Sequence, residues 1–394
     1  MCAQCISRRG LYIPGSLVQN RAALSVGAVM KTLRHVAIGA TLACALSSEG
    51  ADYAGWTVGF SAGGYGTILR TTDSGGTWMR QGSGQIADVG LSGVFAVDPF
   101  TAWAVGDTNA GYATIYHTTD GGLTWDRKGS LAQVPNTNLR KVAAFGDNDI
   151  WAVGPGTILH SNNGGATWAN QIPAGYESAS LQGVYTLDGV NVWATGGPLD
   201  GYATILKSSD GGLNWTRQST GSVTNAAHLL GISAVDVNTA WAVGGKPNEH
   251  GYIALHTING GATWEEQPGV IGVQDANEVC AVNSSVVWAA CDGTVYWSTD
   301  AGANWNGKSI GPFTLGISAV SPQQAWAVVG GVQGAIWHTS DGGTTWGEQG
   351  IPGERLASLS TVSFASSPVP EPSSAVLLAT GLAAMPCRSR RRLR

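Results

Sequence analysis

The segment TTDGGLTW, residues 118–125, decides how this chain is read, because six other segments carry its pattern. They are TTDSGGTW (71–78), SNNGGATW (161–168), SSDGGLNW (208–215), TINGGATW (257–264), STDAGANW (298–305) and TSDGGTTW (339–346). The shared spacing is Ser/Thr, any residue, Asp/Asn, any residue, Gly, two residues of any kind, then Trp. Hydroxyl and Asp/Asn oxygens accept backbone N–H bonds inside a tight turn, Gly supplies the positive φ such a turn needs, and the Trp buries a large ring on re-entering a strand. Flanked by β-rich residues, each segment reads as the turn of a hairpin, so the chain repeats one hairpin seven times.

A second motif alternates with the first. GWTVG, AWAVG, IWAVG, VWATG, AWAVG, VWAAC and AWAVV place Trp56, Trp103, Trp151, Trp193, Trp241, Trp288 and Trp326 ahead of the seven turns, so fourteen of the sixteen Trp fall in two slots. Before six of these comes an apolar run: LSGVFAV from Leu91, LRKVAAF from Leu139, LQGVYTL from Leu181, LGISAV from Leu230, EVCAV from Glu278 and LGISAV from Leu315. One repeat is then strand A, a turn, strand B with its Trp, a loop, strand C, the repeat turn and strand D. The spacing of about 45 residues is that of a four-stranded propeller blade. The first repeat has no strand A, and RLASLSTVSF (355–364) supplies one at the other end. The expected fold is therefore all-β: a seven-bladed propeller over residues 52–366, its first blade completed by a C-terminal strand at 355–364, which leaves no open edge.

The seven turns resemble Asp-boxes, also called bacterial neuraminidase repeats, which are shared by sialidases, sortilin-type receptors, xyloglucanases and photosystem II assembly factors. Five keep Asp (Asp73, Asp120, Asp210, Asp300, Asp341), while Asn163 and Asn259 replace it. The alternation of WAVG with T-x-D-G-G-x-T-W is most similar to the photosystem II assembly and stability factors, which implies a non-catalytic scaffold that holds a protein on one face. The ends read differently. Residues 1–29 form an upstream or disordered segment, and 30–51 have the basic start and apolar stretch of a signal peptide, with a lipoprotein signal through Cys44 as an alternative. Residues 367–394 carry Pro370-Glu371-Pro372, an apolar run (375–385) and five Arg. They resemble the PEP-CTERM sorting signal, which implies export in a Gram-negative bacterium, processing by an exosortase-type enzyme and a destination at the envelope or extracellular matrix; the alternative is a membrane anchor. Membrane contact is expected only through these two ends.

From Asp52 to Ser366 there are eleven Lys/Arg against twenty-four Asp/Glu, a net of −13, so nucleic acid is not an expected partner. Cys280 and Cys291, the two cysteines in the repeats, are about three positions out of register, which leaves either a disulfide or two free thiols. His117, His160, His256 and His338 stand one per blade before the repeat turn and cannot converge on a metal. Sialidase chemistry needs three clustered Arg, but Arg80, Arg127 and Arg217 belong on outer strands of different blades. Only Arg140 and Arg355 start inner strands, so both are candidate ligand contacts. FSAGGYGT, GDTNAGYAT, GGPLDGYAT and GGKPNEHGYIA put Tyr65, Tyr112, Tyr202 and Tyr252 in equivalent B-to-C loops, where a flat ring with a hydroxyl suits protein or sugar. The Asp/Asn of the seven turns are assigned to scaffold. No catalytic residue, cofactor or metal is assigned, and the expected state is a monomer binding protein or polysaccharide, with a glycoside hydrolase as the alternative.

Overall fold

A computed structural model describes residues 52–368, apart from 63, 221–226, 247–250, 268–274, 332 and 352–355. The expected signal peptide, the sorting tail and Arg355 lie outside the described residues.

Seven four-stranded antiparallel sheets form the molecule. Blade 1 contains β1 (Tyr53–Ala62), β2 (Tyr65–Thr71) and β3 (Met79–Arg80); blade 2, β4 (Leu91–Ala96), β5 (Ala102–Asn109), β6 (Tyr112–Thr118) and β7 (Asp126–Arg127); blade 3, β8 (Lys141–Phe145), β9 (Asp149–Gly154), β10 (Thr157–Ser161) and β11 (Ala169–Asn170). Blade 4 is β12 (Leu181–Thr186), β13 (Val192–Leu199), β14 (Tyr202–Ser208) and β15 (Thr216–Arg217); blade 5, β16 (His228–Ala234), β17 (Ala240–Lys246), β18 (Gly251–Thr257) and β19 (Glu265–Glu266). Blade 6 is β20 (Ala276–Ala281), β21 (Val287–Cys291), β22 (Thr294–Ser298) and β23 (Asn306–Ser309); blade 7, β24 (Thr314–Ala319), β25 (Ala325–Val329), β26 (Ala335–Thr339) and β27 (Gly347–Gln349). The last strand, β28 (Leu359–Pro368), pairs antiparallel with β1, with Trp56 opposite Ser363, and completes blade 1. Closure is as expected, but the strand begins and ends four residues later. Leu356 is bridged instead to Gly334 of blade 7, and after a shift in register beyond Phe364 the strand sets Pro368 opposite Tyr53.

The two Trp slots explain the packing. All seven B-strand Trp are fully buried, and each shares a core cluster with the repeat-turn Trp of the following blade: Trp56 with Trp125, Trp103 with Trp168, Trp151 with Trp215, and onward to Trp326 with Trp78 at the seam. Trp103 and Trp168 meet edge to face at 6.1 Å, and Trp151 and Trp215 at 5.9 Å. The hydrophobic core is therefore a set of blade joints, and each blade depends on its neighbour for burial.

Each repeat turn is closed by its own side chains. In blade 2, Thr118 Oγ1 accepts from Gly122 N–H at 2.8 Å, Asp120 Oδ1 from Thr124 N–H at 2.9 Å, and Asp120 Oδ2 from the Thr124 hydroxyl at 2.6 Å. Asn163 and Asn259 keep the same bonds by donating Nδ2 to Thr167 and Thr263. The turn also donates to the A-to-B turn of its own blade, as Gly121 N–H to Phe100 O at 2.8 Å. A-to-B turns and repeat turns therefore share one face, the turn face; B-to-C hairpins and D-to-A connections share the other.

The inner strands pack on one another in sequence around the axis. At one level, opposite the residue before the WAVG glycine, stand Gly93, Lys141, Gly183, Gly231, Glu278, Gly316 and Thr361. The glycines permit close approach: a Cβ at Gly316 would lie 2.8 Å from the Cα of Thr361 in the next inner strand. Two residues along, side chains accept from the next blade's backbone, Ser233 from Ala281, Cys280 Sγ from Ala319, Ser318 from Phe364 and Ser363 from Ala96, at 3.0 to 3.3 Å. These bonds tie four of the seven joints, including both joints of the closing blade. Cys280 lies opposite Trp288 and Cys291 opposite Ala276, and both thiols are free.

Candidate binding face and axial channel

The B-to-C segments that read as loops are strand extensions in blades 2 and 4. β5 runs to Asn109 and β6 starts at Tyr112, joined by Ala110 and Gly111 at φ 56 and 89; Asp200 and Gly201 do the same at φ 53 and 83. Two residues with positive φ match the twist of a tight hairpin. The strand-D arginines hold these hairpins. Arg127 lies 4.0 Å over the Tyr112 ring and donates to Asn109 Oδ1 at 2.9 Å and Asn109 O at 2.6 Å. Arg217 donates to Leu199 O at 2.6 Å and Tyr202 O at 3.2 Å and lies 3.7 Å from the Asp200 carboxylate. Both are taken up by hairpin backbone on separate blades, as their outer-strand positions implied.

The four tyrosines read as equivalent do not behave alike, because Tyr65, Tyr112 and Tyr202 stand six residues before their repeat turns and Tyr252 five. Tyr65 and Tyr202 are 44% and 48% exposed, and Tyr112 is half-buried beneath Arg127. Tyr252 is 8% exposed and stacks on Tyr296 at 5.8 Å, and burial drives its hydroxyl pKa well up. It therefore does not join the exposed face that its sequence position suggested. Asn248, Glu249 and His250 lie outside the described residues.

The second feature is the axial channel, a cavity of about 360 Å³ lined by all seven inner strands. Arg140 does not line it; its neighbour Lys141 does. Arg140 lies one residue before β8, and successive side chains of an extended segment point to opposite sides. Lys141 Nζ donates to Glu278 Oε2 from across the ring and to Thr361 Oγ1 at 3.3 Å, and the Thr361 hydroxyl donates to the same carboxylate at 3.2 Å. Blades 3, 6 and 1 thus meet at the axis through the three ring positions that are not glycine. Burial pulls the Lys141 ammonium down to about 7. Glu278 is the one acidic residue among the described residues that line the channel. Reading along the chain misses this site, because Lys141 and Glu278 stand out only when the inner strands are aligned and the glycine is seen to be replaced.

The histidines serve the core. His117, His160, His256 and His338 stack on the buried Trp of strand B with ring centroids 3.8 to 4.7 Å apart. In the other blades Arg70, Lys207 and Trp297 take the same place. Burial holds His117 at about 4 and lowers His256 and His338, so these rings are neutral at pH 7. No group of three His, Cys, Asp or Glu able to hold a metal occurs among the described residues.

The family model for the photosynthesis system II assembly factor YCF48 matches residues 85–178, which span blades 2 and 3. No curated protein matches the chain. Among solved structures, YCF48 bound to D1 peptide aligns with 66% of this chain and 82% of its own at 20% identity and a TM-score of 0.50. U3-55K aligns with 71% of this chain and 86% of its own at 11% identity and a TM-score of 0.55. Virginiamycin B lyase from Staphylococcus aureus aligns with 68% of this chain and 86% of its own at 14% identity and a TM-score of 0.54. These likenesses agree on the propeller fold, and their differing names leave function to the site.

Proposed function

We propose that this protein is an exported, non-catalytic propeller scaffold that holds a protein or polysaccharide partner at the envelope or extracellular matrix of a Gram-negative bacterium. In this reading the repeat turns are Asp-boxes serving as scaffold, residues 30–51 direct export, and 367–394 are a PEP-CTERM address for an exosortase-type enzyme. One observation carries the non-catalytic part: the one carboxylate among the described residues lining the axial channel, Glu278, is engaged by Lys141 and Thr361. Glycoside hydrolysis by the usual route needs a pair of carboxylates flanking the bond. The family match over residues 85–178, together with the YCF48 structure that holds a peptide, favours a protein segment as the partner. The face opposite the turn face, where Tyr65 and Tyr202 are exposed, is the expected contact.

The purified protein is expected to leave sialosides and β-glucans intact. Tyr65→Ala with Tyr202→Ala is expected to lower recovery of a partner from envelope and matrix fractions at least tenfold without changing thermal stability. Turnover that disappears in Glu278→Gln would replace this reading with the glycoside hydrolase.

A further inference from the structure

Large apolar side chains are distributed unevenly over the turn face. Blade 2 presents Phe100 and Leu123, blade 3 Phe145, blade 4 Val190 and Leu213, and blade 5 Val237 and Ile258, all between 46% and 79% exposed. The corresponding turns of blades 6 and 7 carry Asn283, Ser284 and Ser285, or Ser321, Pro322 and Gln323. Phe100 and Val190 sit at the points where A-to-B turns accept from repeat turns, Gly121 N–H to Phe100 O and Gly211 N–H to Val190 O. The tips are therefore mounted on bonded turns, and they form an arc over four consecutive blades. Scattered single apolar residues need no explanation; a one-sided arc on one face does.

The chain leaves the ring on this same face. Pro368 is opposite Tyr53, whose carbonyl accepts from Ser74 N–H of the blade 1 repeat turn. Beyond it, residues 369–374 lead to the apolar run at 375–385 and then to five Arg. A run of eleven residues, nine of them apolar, is too short to cross a bilayer as a helix, and with flanking cations it suits the boundary between headgroups and acyl chains. Six residues reach at most about 20 Å, so a tail seated there keeps the exit close to the lipid.

We propose that the turn face of blades 2–5 is a lipid-docking surface, laid on a zwitterionic bilayer when the tail is inserted, with the opposite face left free. This goes beyond contact through the two ends alone. The charges select the lipid. Asp98 and Asp188 stand beside the tips, each accepting backbone N–H bonds of its own turn, and the ring is acidic overall, so an anionic surface repels the face. Insertion of the tips supplies the attraction, which is apolar and insensitive to salt.

The test is co-sedimentation of the full chain with phosphatidylcholine vesicles. Leu123→Ser, Leu213→Ser and Ile258→Ser together change only exposed turn positions. This variant is expected to unfold at the parental temperature and to partition about tenfold less, while Phe60→Ser with Phe313→Ser on the other face partitions like the parent. Adding phosphatidylserine is expected to narrow the difference between parent and triple variant. The proposal is overturned if the parent does not bind these vesicles, if the triple variant binds as well as the parent, if the opposite-face variant loses as much, or if the triple variant loses self-association while vesicle binding is unchanged.

Discussion

Lys141 and Glu278 are 137 residues apart in sequence and touch across the axis. Removing one partner leaves the other buried and uncompensated, which typically costs about 3–5 kcal/mol, whereas replacing both with apolar groups is often neutral. Lys141→Met alone is therefore expected to lower stability by about 3–5 kcal/mol, and Lys141→Met with Glu278→Leu to recover most of it. Urea unfolding of the double-mutant cycle checks this, and additive losses would refute it. His117 gives a pH dependence. Its folded pKa is held at about 4 by burial against Trp103, with Lys128 adding to the effect, against an ordinary 6.5. As pH falls from 6.5 to 4 the unfolded chain takes up a proton that the folded chain refuses. The contribution is therefore complete above pH 6.5 and is lost across that window, at most about 3 kcal/mol. His256 and His338 act in the same direction. His117→Gln is expected to flatten the fall in unfolding midpoint between pH 7 and pH 4.5.

At the level of the element, the repeat turn is a closed set of hydrogen bonds, and its natural variants forecast its tolerance. Asn163 and Asn259 make the bonds that Asp120 makes. Asp120→Asn is therefore expected to change stability by less than about 0.5 kcal/mol and Asp120→Ala to lower it by about 1–2 kcal/mol, measured by thermal unfolding. This turn was legible in the sequence because its donors and acceptors lie within eight residues, and the blade was legible because Trp56 and its six counterparts recur 10 to 16 residues ahead of it in every repeat. What the sequence hid was whatever depends on neighbours far along the chain. Tyr252 differs in phase: it stands five residues before Thr257 where Tyr202 stands six before Ser208, so its ring takes the other side of strand C and stacks on Tyr296 of the next blade. The Ser233, Cys280, Ser318 and Ser363 bonds were equally hidden, since their acceptor role exists only once inner strands are side by side. Lys141 was passed over for Arg140 because which of two adjacent basic residues faces the axis depends on strand phase, and a one-residue change reverses it.

For the whole molecule, the ring is held at a seam where β28 supplies the inner strand of blade 1. A chain ending at Ser358 would lose that strand, leaving Trp326 without the Phe364 ring stacked on it at 3.7 Å and β1 with an unpaired edge, and it is expected to elute as aggregates or exchanged oligomers. A chain ending at Pro368 keeps every described pair and is expected to match the parent in unfolding midpoint and elution volume. Blade count was legible because the sequence has seven turns and seven B strands; the true limits of the closing strand were not, because Ala365 to Pro368 have no β-forming composition and Pro368 comes opposite Tyr53 only after a shift in register.

The opposition of Tyr53 and Pro368 also places the first and last residues of the ring about 5 Å apart, the separation of paired Cα atoms across an antiparallel ladder. A linker of a few residues could join them, and the polypeptide could then be opened at another hairpin, such as the one at Asp292 and Gly293. The rearranged gene would encode the same seven blades with a different starting point, and the place where the circle is cut would become a matter of choice.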